Sequence, residues 1–364
     1  MTFDKFFVPL YKLRNRIPAG TCLPAPNRTS LKKGIAMKKI VTYGITLVFL
    51  VIFSVTACSQ NADVREFGVT SAASVMTLLP ADIQGIFMMD VNRVMMTEFA
   101  IKTINEKDNY PKYRDFVSET GLDPQKDIYW AAVALTGLPE KNHQEGAAVI
   151  SMTYDRDRLV AALKKEHPGM SEITYNGVTV HTGMTGRGGK PGSAAFLDET
   201  RAVFGSETMV KAVIDVYQKK QDNVFTNKTL SGFIEKADQN AMVWSAIAVS
   251  PDDMKAAASQ NSMMGHFQDF HAMTMFFDYR NLTFDMEVRF WGGDQDKNRQ
   301  LADILTGFKA LGASAAAENP DIGDLLNSFD ILAGPDFVTI QAAVSEDLMQ
   351  SVSRSVSEKA ADMQ

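Results

Sequence analysis

The chain has 364 residues, of which 45% are hydrophobic and 22% are charged, a composition typical of a globular protein with one large or two medium domains. Residues 1–57 hold nine of the 37 basic residues and one of the 43 acidic residues, which leaves 28 basic and 42 acidic residues for the rest. The resulting net charge of −14 after residue 57 repels phosphate backbones and anionic headgroups. This charge argues against nucleic-acid binding and against electrostatic docking on a membrane.

The N-terminal region contains the three parts of a secretory signal. Met37-Lys38-Lys39 is a short basic segment, and the eighteen residues from Ile40 to Ala57 carry no charge. The four residues that close this region, Val55-Thr56-Ala57-Cys58, are in turn aliphatic, small, small and cysteine. This order resembles the lipobox in type II signal peptides of bacterial lipoproteins.

The resemblance implies that residues 37–57 are a signal peptide, that cleavage occurs before Cys58, and that Cys58 carries diacylglycerol and a further acyl chain such as palmitate. The membrane would then be contacted through the lipid on Cys58, with the protein facing the periplasm. Because Ser59 and Gln60 follow the cysteine in place of an aspartate, the pattern favours the outer over the inner membrane. The alternative is an uncleaved transmembrane anchor, for which eighteen apolar residues are a short span.

The segments on either side of this signal are not expected to fold. Residues 1–36 are rich in proline and arginine and lack apolar periodicity, which indicates either a misplaced gene start, with Met37 as the true first residue, or a disordered cytoplasmic tail. Residues 58–77 are polar and small, as in a flexible tether. The only cysteines, Cys22 and Cys58, lie outside the expected folded part, so no disulfide or thiol chemistry is predicted there.

Apolar runs and alternating patterns predict the strands. The clearest signal is the Asn176-Gly177 pair between β-branched residues, which is typical of a hairpin with a type I′ turn. Residues 282–291 alternate strictly between apolar and polar side chains, as in an antiparallel strand with one buried face. The predicted strands cover residues 85–91, 128–136, 147–154, 173–180, 194–197, 202–205, 241–249, 272–279, 282–291 and 337–344.

Helical periodicity and capping residues predict the helices. Asp155 and Ser206 stand where N-caps are expected, and His167-Pro168-Gly169 is a stop signal. The predicted helices cover residues 95–106, 112–120, 156–166, 206–218, 230–237, 298–311 and 347–359.

Because hairpins and helices mix without regular alternation, we expect an α+β fold with mostly antiparallel sheets and packed helices. The segment Trp130–Thr136 is similar to Trp244–Ser250, which suggests two related lobes, residues 78–240 and 241–364. The alternative is that two buried strands simply look alike.

Two segments resemble ligand loops only superficially. In the glycine-rich stretch 183–193, Met184 stands where a phosphate loop needs its first glycine, and Pro191 replaces the magnesium-binding hydroxyl residue. In the stretch that begins at Asp294, Arg299 replaces the turn glycine of a calcium loop and Leu305 replaces the bidentate glutamate. A loop between strands and a polar helix start are the better interpretations.

Catalytic and metal-binding patterns are equally weak. The histidines form no (i, i+4) pair, and no G-x-S-x-G elbow occurs. The acidic pairs Asp252-Asp253 and Glu346-Asp347 stand at expected helix N-termini, where they serve as caps. We therefore predict no catalytic residue, no metal site and no cofactor, and the sequence favours a non-enzymatic protein over an enzyme.

One apolar cluster is a candidate binding surface. Met263, Met264, Phe267 and Phe270 fall in a loop or short helix between the expected lobes, and flexible thioethers suit adaptable apolar surfaces. The other interpretation is that these methionines fill the core.

Short motifs in the mature region, at residues 78–82, 119–124 and 196–207, are similar to a domain-of-unknown-function family of bacterial envelope proteins, which brings no catalytic residues. The leading hypothesis is a lipid-anchored cell-envelope protein that binds a partner protein or an apolar ligand. The alternatives are an envelope enzyme acting on peptidoglycan, lipid or polysaccharide, and a structural or assembly lipoprotein.

Overall fold

The computed structural model describes residues 71–106, 109–136, 145–185, 191–260, 262–316 and 319–362. Twelve strands lie in these residues. They are β1 (Gly85–Asp90), β2 (Ile128–Thr136), β3 (Glu145–Met152), β4 (Ser171–Tyr175), β5 (Val178–Thr185), β6 (Pro191–Phe196), β7 (Arg201–Gly205), β8 (Val243–Ala248), β9 (Phe270–Arg280), β10 (Thr283–Gly292), β11 (Phe329–Ala333) and β12 (Phe337–Ser345).

The helices of the described residues connect these strands, together with 3-10 turns at Val224–Thr226 and Ser262–Phe267. They are α1 (Ala72–Met76), α2 (Val91–Met95), α3 (Glu98–Asn105), α4 (Tyr110–Thr120), α5 (Arg156–Glu166), α6 (Glu207–Tyr217), α7 (Ser231–Ile234), α8 (Pro251–Gln260), α9 (Gln295–Ala315), α10 (Pro320–Asn327) and α11 (Glu346–Asp362).

Side-chain caps fix several helix starts, as the sequence predicts. Asp155 accepts a hydrogen bond from the Arg158 amide at the start of α5, and Ser206 accepts one from the Met209 amide at the start of α6. Asp294 caps α9, so the stretch that resembles a calcium loop is confirmed as a polar helix start. The helix begins earlier than predicted because this cap precedes the first apolar position.

All twelve strands belong to one sheet, in the order β11-β12-β10-β9-β8-β1-β2-β3-β7-β6-β5-β4, and each neighbouring pair is antiparallel. The predicted fold class, an α+β fold with several sheets in two related lobes, is therefore wrong. The physical reason lies in the pairing of the central strand. Strand β1 bonds to β2 on one side and to β8 on the other, so Met88 lies between Ala132 and Trp244. Hydrogen bonds join the two halves of the chain where the sequence suggested separate units.

The same pairing accounts for the similarity of the Trp130 and Trp244 segments. Both belong to strands that flank β1, but Trp130 lies opposite Asp90 and Trp244 lies opposite Met88. The two tryptophans therefore do not occupy equivalent positions along the central strand.

Two hairpins use the same kind of turn with different residues. The predicted Asn176-Gly177 turn between β4 and β5 is confirmed, with φ of 48° and 79°. Between β9 and β10, the turn residues are Asn281 and Leu282, with φ of 53° and 60°. The sequence placed Leu282 in the strand, whereas it lies at the turn with its side chain 53% exposed.

Helices pack on both faces of the sheet. On the first face, α1, α6 and α7 cover a core that includes Met88, Val149, Val180 and Trp244. On the second face, α2, α3, α10 and α11 cover a core around Phe284, while α5 packs against the strands near β3 and α9 packs against those near β12. Over the described ranges, no helix combines the length and apolarity needed to cross a bilayer.

Candidate functional site

The two phenylalanines of the predicted apolar surface belong to a small aromatic cluster on the second face. The ring centroid of Phe267 lies 6.1 Å from that of Phe270 and 5.3 Å from that of Phe290. Phe270 is buried, whereas Phe267 is half-buried at the end of the 3-10 turn before β9. Leu301 of α9 and Val338 of β12 complete the cluster.

The other predicted site residues are described only in part. Cys58 lies outside the described residues, and so do the side chains of Met263 and Met264. The backbone of both methionines lies in the 3-10 turn that leads to Phe267, so the chain brings these four residues to one end of β9.

The aromatic cluster continues into an apolar stripe on α9. Leu305 packs against the cluster, and helical spacing places Ile304, Phe308 and Leu311 on the same side of the helix as Leu301. We call Ile304, Phe308 and Leu311 the α9 stripe. Phe308 is 41% exposed and Leu311 is 67% exposed, although the helix pattern alone would assign both to a core.

The position of α9 is fixed by its neighbours on the inner side. Gly312 approaches Leu326 of α10, and the Lys309 amino group donates to the backbone carbonyls of Asn327 and Phe329. The helix is therefore held against α10 and β11, while Phe308 and Leu311 face outward. Exposed apolar side chains on a well-anchored helix are a recognised feature of interaction surfaces.

The surface grooves differ from a ligand pocket. One groove of about 620 Å³ is lined by Tyr154, Arg156, Asp198, Glu199 and Thr200, and it is wide open to solvent. A second open groove, of about 520 Å³, lies beside the β4–β5 hairpin. Small-molecule sites usually enclose most of their ligand, whereas these grooves are too open to do so.

One of the two carboxylates that line the first groove, Asp198, has structural partners. Asp198 forms an ion pair with Arg201 at 2.5 Å and accepts a hydrogen bond from the Thr200 amide at 2.9 Å. Burial alone would raise the pKa of Asp198, but the hydrogen bonds from Arg201 and Thr200 lower it below its ordinary value. The group therefore stays ionised and holds the β6–β7 turn. Nowhere in the described ranges do three metal-ligating side chains converge.

A buried histidine lies on the second face, away from the α9 stripe. His181 of β5 is 3% exposed, and its ring packs edge-on against Phe196. Within the part of the chain that the structure describes, neither ring nitrogen has a hydrogen-bond partner. Its Nδ1 lies 3.5 Å from a carboxylate oxygen of Glu172, which is itself bound by Lys164 at 2.9 Å.

This environment predicts a pH-dependent stability. Burial lowers the pKa of His181, the Glu172 carboxylate opposes this effect, and the positive charges of Lys164 and Arg156 add to it. The unfolded chain, with a histidine pKa of about 6.5, then binds the proton more readily than the folded chain does. The free energy of unfolding should fall as the pH drops below about 6.5 and level off below the folded-state pKa.

The measurement is the urea midpoint at several values between about pH 8 and pH 5, for the parent chain and for His181→Phe. The phenylalanine variant should lose stability less steeply across this range, since it has no proton to bind. Equal slopes for both proteins would show that His181 contributes nothing to the pH dependence.

The sequence found the aromatic half of the candidate site but not its exposed half. The sequence predicts Phe267 and Phe270 as part of the surface, whereas it places Phe308 only on the apolar side of a helix and Leu311 only at the end of that helix. An available signal was the low charge of the second half of α9, in which Lys309 is the only ionised side chain after Asp303.

Comparisons with known proteins do not identify a family. No protein-family profile matches the chain, and no curated protein sequence matches it. Among solved structures, crystal form III of TP0453 is similar with a TM-score of 0.45 and 13% identity, over 79% of this chain and 100% of that chain. Crystal form I of TP0453 has a TM-score of 0.42 and 11% identity, over 77% and 96%. Likeness at this level establishes neither a shared family nor a shared function.

Proposed function

We propose that the protein is a lipid-anchored envelope protein of the outer membrane, facing the periplasm, that binds a partner protein through the α9 stripe. The observation that carries the binding role is the exposure of Phe308 and Leu311 on a helix whose inner side is fixed by α10 and β11. The anchoring role rests on the lipobox that ends at Cys58.

A protein partner fits this surface better than an apolar small molecule. The α9 stripe is a convex helix side, and the two grooves described above are wide open to solvent. An apolar ligand needs a concave site that removes most of its surface from water, whereas a partner protein can supply the complementary groove itself.

The anchor is tested by the mass of the native protein. We expect a chain that begins at Cys58 and carries acyl chains, and we expect Cys58→Ser to abolish lipid attachment and membrane recovery. Several acyl chains hold a protein at a bilayer because each buried methylene contributes about 0.8 kcal/mol. A native chain that begins at Met1 with an unmodified Cys58 thiol would contradict the anchor.

The binding surface is tested with a photo-crosslinking amino acid in place of Leu311, introduced into the full chain in native envelopes. We expect one discrete crosslinked protein, identified by mass spectrometry. The matched control carries the same amino acid in place of Thr306, which is exposed on the opposite side of α9 from Leu311. Equal labelling from both positions would show that the stripe has no specific partner.

A charge-insertion pair provides the second control. In the chain that carries the crosslinking amino acid at position 311, Phe308→Asp should abolish the crosslinked complex, because a carboxylate would be buried against an apolar surface. Ala310→Asp in the same chain adds the same charge to the opposite side of α9 from Phe308 and should leave the complex intact. Phe308 and Ala310 are both exposed, so folding should be retained in both variants.

A further inference from the structure

The two outer strands of the sheet differ in how they are protected. An open sheet ends in two strands whose outward N–H and C=O groups lack strand partners, and such edges readily pair with another strand. Within the described residues, the outer strands are β11 and β4. At β11, the Lys309 amino group binds the Phe329 carbonyl, and α9 and α10 pack alongside. A charged side chain at the edge is a common protection against pairing.

Strand β4 has much less protection. Ser171, Glu172, Ile173 and Thr174 are exposed, and only Tyr175 is half-buried. The strand contains neither lysine nor proline, and its single charge, on Glu172, is already paired with Lys164 at 2.9 Å. Isoleucine, threonine and tyrosine all favour strand structure, and Ile173 keeps 37% of its surface exposed.

The turn geometry determines which backbone groups of β4 point outward. In a two-residue type I′ hairpin, the residues that flank the turn form a hydrogen-bonded pair, here Tyr175 and Val178. Hydrogen-bonded and non-bonded pairs alternate along an antiparallel ladder, so Ile173 also bonds to β5. The backbone groups of Glu172 and Thr174 therefore point away from the sheet.

This arrangement is complementary to itself. We propose that two copies of the chain pair antiparallel through β4, about a two-fold axis at Ile173. In that register Glu172 of each copy lies opposite Thr174 of the other, and the two pairs exchange four hydrogen bonds. The two Ile173 side chains form the central non-bonded pair, in which side chains approach closely. The two Glu172 residues do not lie opposite each other, so their charges do not repel directly across the pair.

The two-fold axis is compatible with anchoring to one membrane. Neighbouring antiparallel strands are related by a two-fold axis perpendicular to the plane of the sheet. The first face of the sheet therefore points in the same direction in both copies. Helix α1 packs on that face, so both N-terminal tethers leave from the same side. The chain between Cys58 and Ser71 can span at most about 45 Å.

The contact is small, and this determines where it forms. A pair of five-residue strands buries much less than the roughly 1,200 Å² of a stable interface, so purified copies in dilute solution should be mostly monomeric. Confinement to a bilayer raises the effective concentration, as tethering does in multivalent binding. The expectation that the dimer forms at a membrane rests on the proposed lipid anchor, whereas the proposed register of the β4 pairing does not.

The test is a disulfide across the two-fold axis in the full chain in native membranes. Ile173→Cys should give a reducible species of twice the chain mass on mild oxidation, because the Cα atoms of a non-bonded pair, about 4.5 Å apart, suit a disulfide. Leu332→Cys is the matched control, since Leu332 is a 51% exposed residue of the other outer strand. The parent chain measures any contribution from Cys22 and Cys58.

A second variant separates strand pairing from random collision. Thr174→Pro, added to Ile173→Cys, removes an outward N–H of each copy without removing a bond to β5, and proline is tolerated in outer strands. The disulfide yield should fall about tenfold, since two of the four intermolecular hydrogen bonds are lost. An unchanged urea midpoint for Thr174→Pro shows that the fold is retained.

Three results would overturn the proposal. They are a dimer yield from Ile173→Cys no higher than that from Leu332→Cys, a yield that Thr174→Pro leaves unchanged, and a crosslinked product whose mass shows a different protein at β4. Because the readout is at β4, a failure here is independent of crosslinking from the α9 stripe. If the native chain carries no lipid on Cys58, the dimer should instead be sought with concentrated purified chain, where the same three comparisons apply.

Discussion

Trp244→Ala should lower the free energy of unfolding by roughly 3–5 kcal/mol, the range measured for the largest core truncations. Trp244 is fully buried on the first face, where β8 pairs with both β1 and β9. The missing ring would leave a cavity at the centre of the sheet that the surrounding strands cannot close. Since single domains are stable by about 5–15 kcal/mol, this one change should be visible as a large shift of the urea midpoint.

Two variants define the cause of that loss. Trp130→Ala removes an equally large ring from the other neighbour of β1, but Trp130 is only partly buried, so the loss should be smaller. Trp244→Phe should cost much less than the alanine change, because the indole Nε1 has no hydrogen-bond partner among the described residues. If Trp130→Ala and Trp244→Ala cost the same, burial of Trp244 is not what stabilises the sheet centre.

Gly205→Ala should also destabilise the fold, by about 1–3 kcal/mol, because it overpacks the contact between β3 and β7. A Cβ at position 205 would lie 2.3 Å from the Gly146 carbonyl oxygen and 2.7 Å from the Ala147 Cα atom. Both contacts involve backbone, so relief requires the two strands to separate. Urea unfolding of the full chain measures the loss.

The matched control is Gly232→Ala in α7. A Cβ there meets nothing within 4 Å, so the change should be neutral or slightly stabilising through helix propensity. Comparable losses for Gly205→Ala and Gly232→Ala would mean that the close approach of β3 and β7 is not the cause.

Local patterns predicted most of the strands because their causes are local. The type I′ turn at Asn176-Gly177 needs two residues that accept positive φ, and the alternation before Trp291 needs one buried face, so both can be read from neighbouring residues. Strand β11 was missed because it follows α10 without a turn signal and has only five residues. Helix α10 is short and contains a glycine, Gly323, which weakens its pattern.

The continuity of the sheet could not be predicted in this way. Whether β1 bonds to β8 depends on residues that are distant in sequence, and a buried strand looks the same whichever strands flank it. For the candidate site, periodicity identifies the apolar side of α9 but not what covers it. Ile304 and Phe308 lie on the same side of the helix as Leu301, yet of these three residues only Leu301 is buried.

The central pairing of β1 with β8 has a consequence for biosynthesis. Met88 is made early, but its partner Trp244 emerges only after β2 to β7 and their connecting helices. Until then one edge of β1 has no strand partner. Pairing it with β8 joins residues that are far apart in the sequence, and such pairing is slow and leaves the chain exposed to aggregation. We therefore expect the nascent protein to depend on chaperones that shield β1 until the second half of the chain has been synthesised.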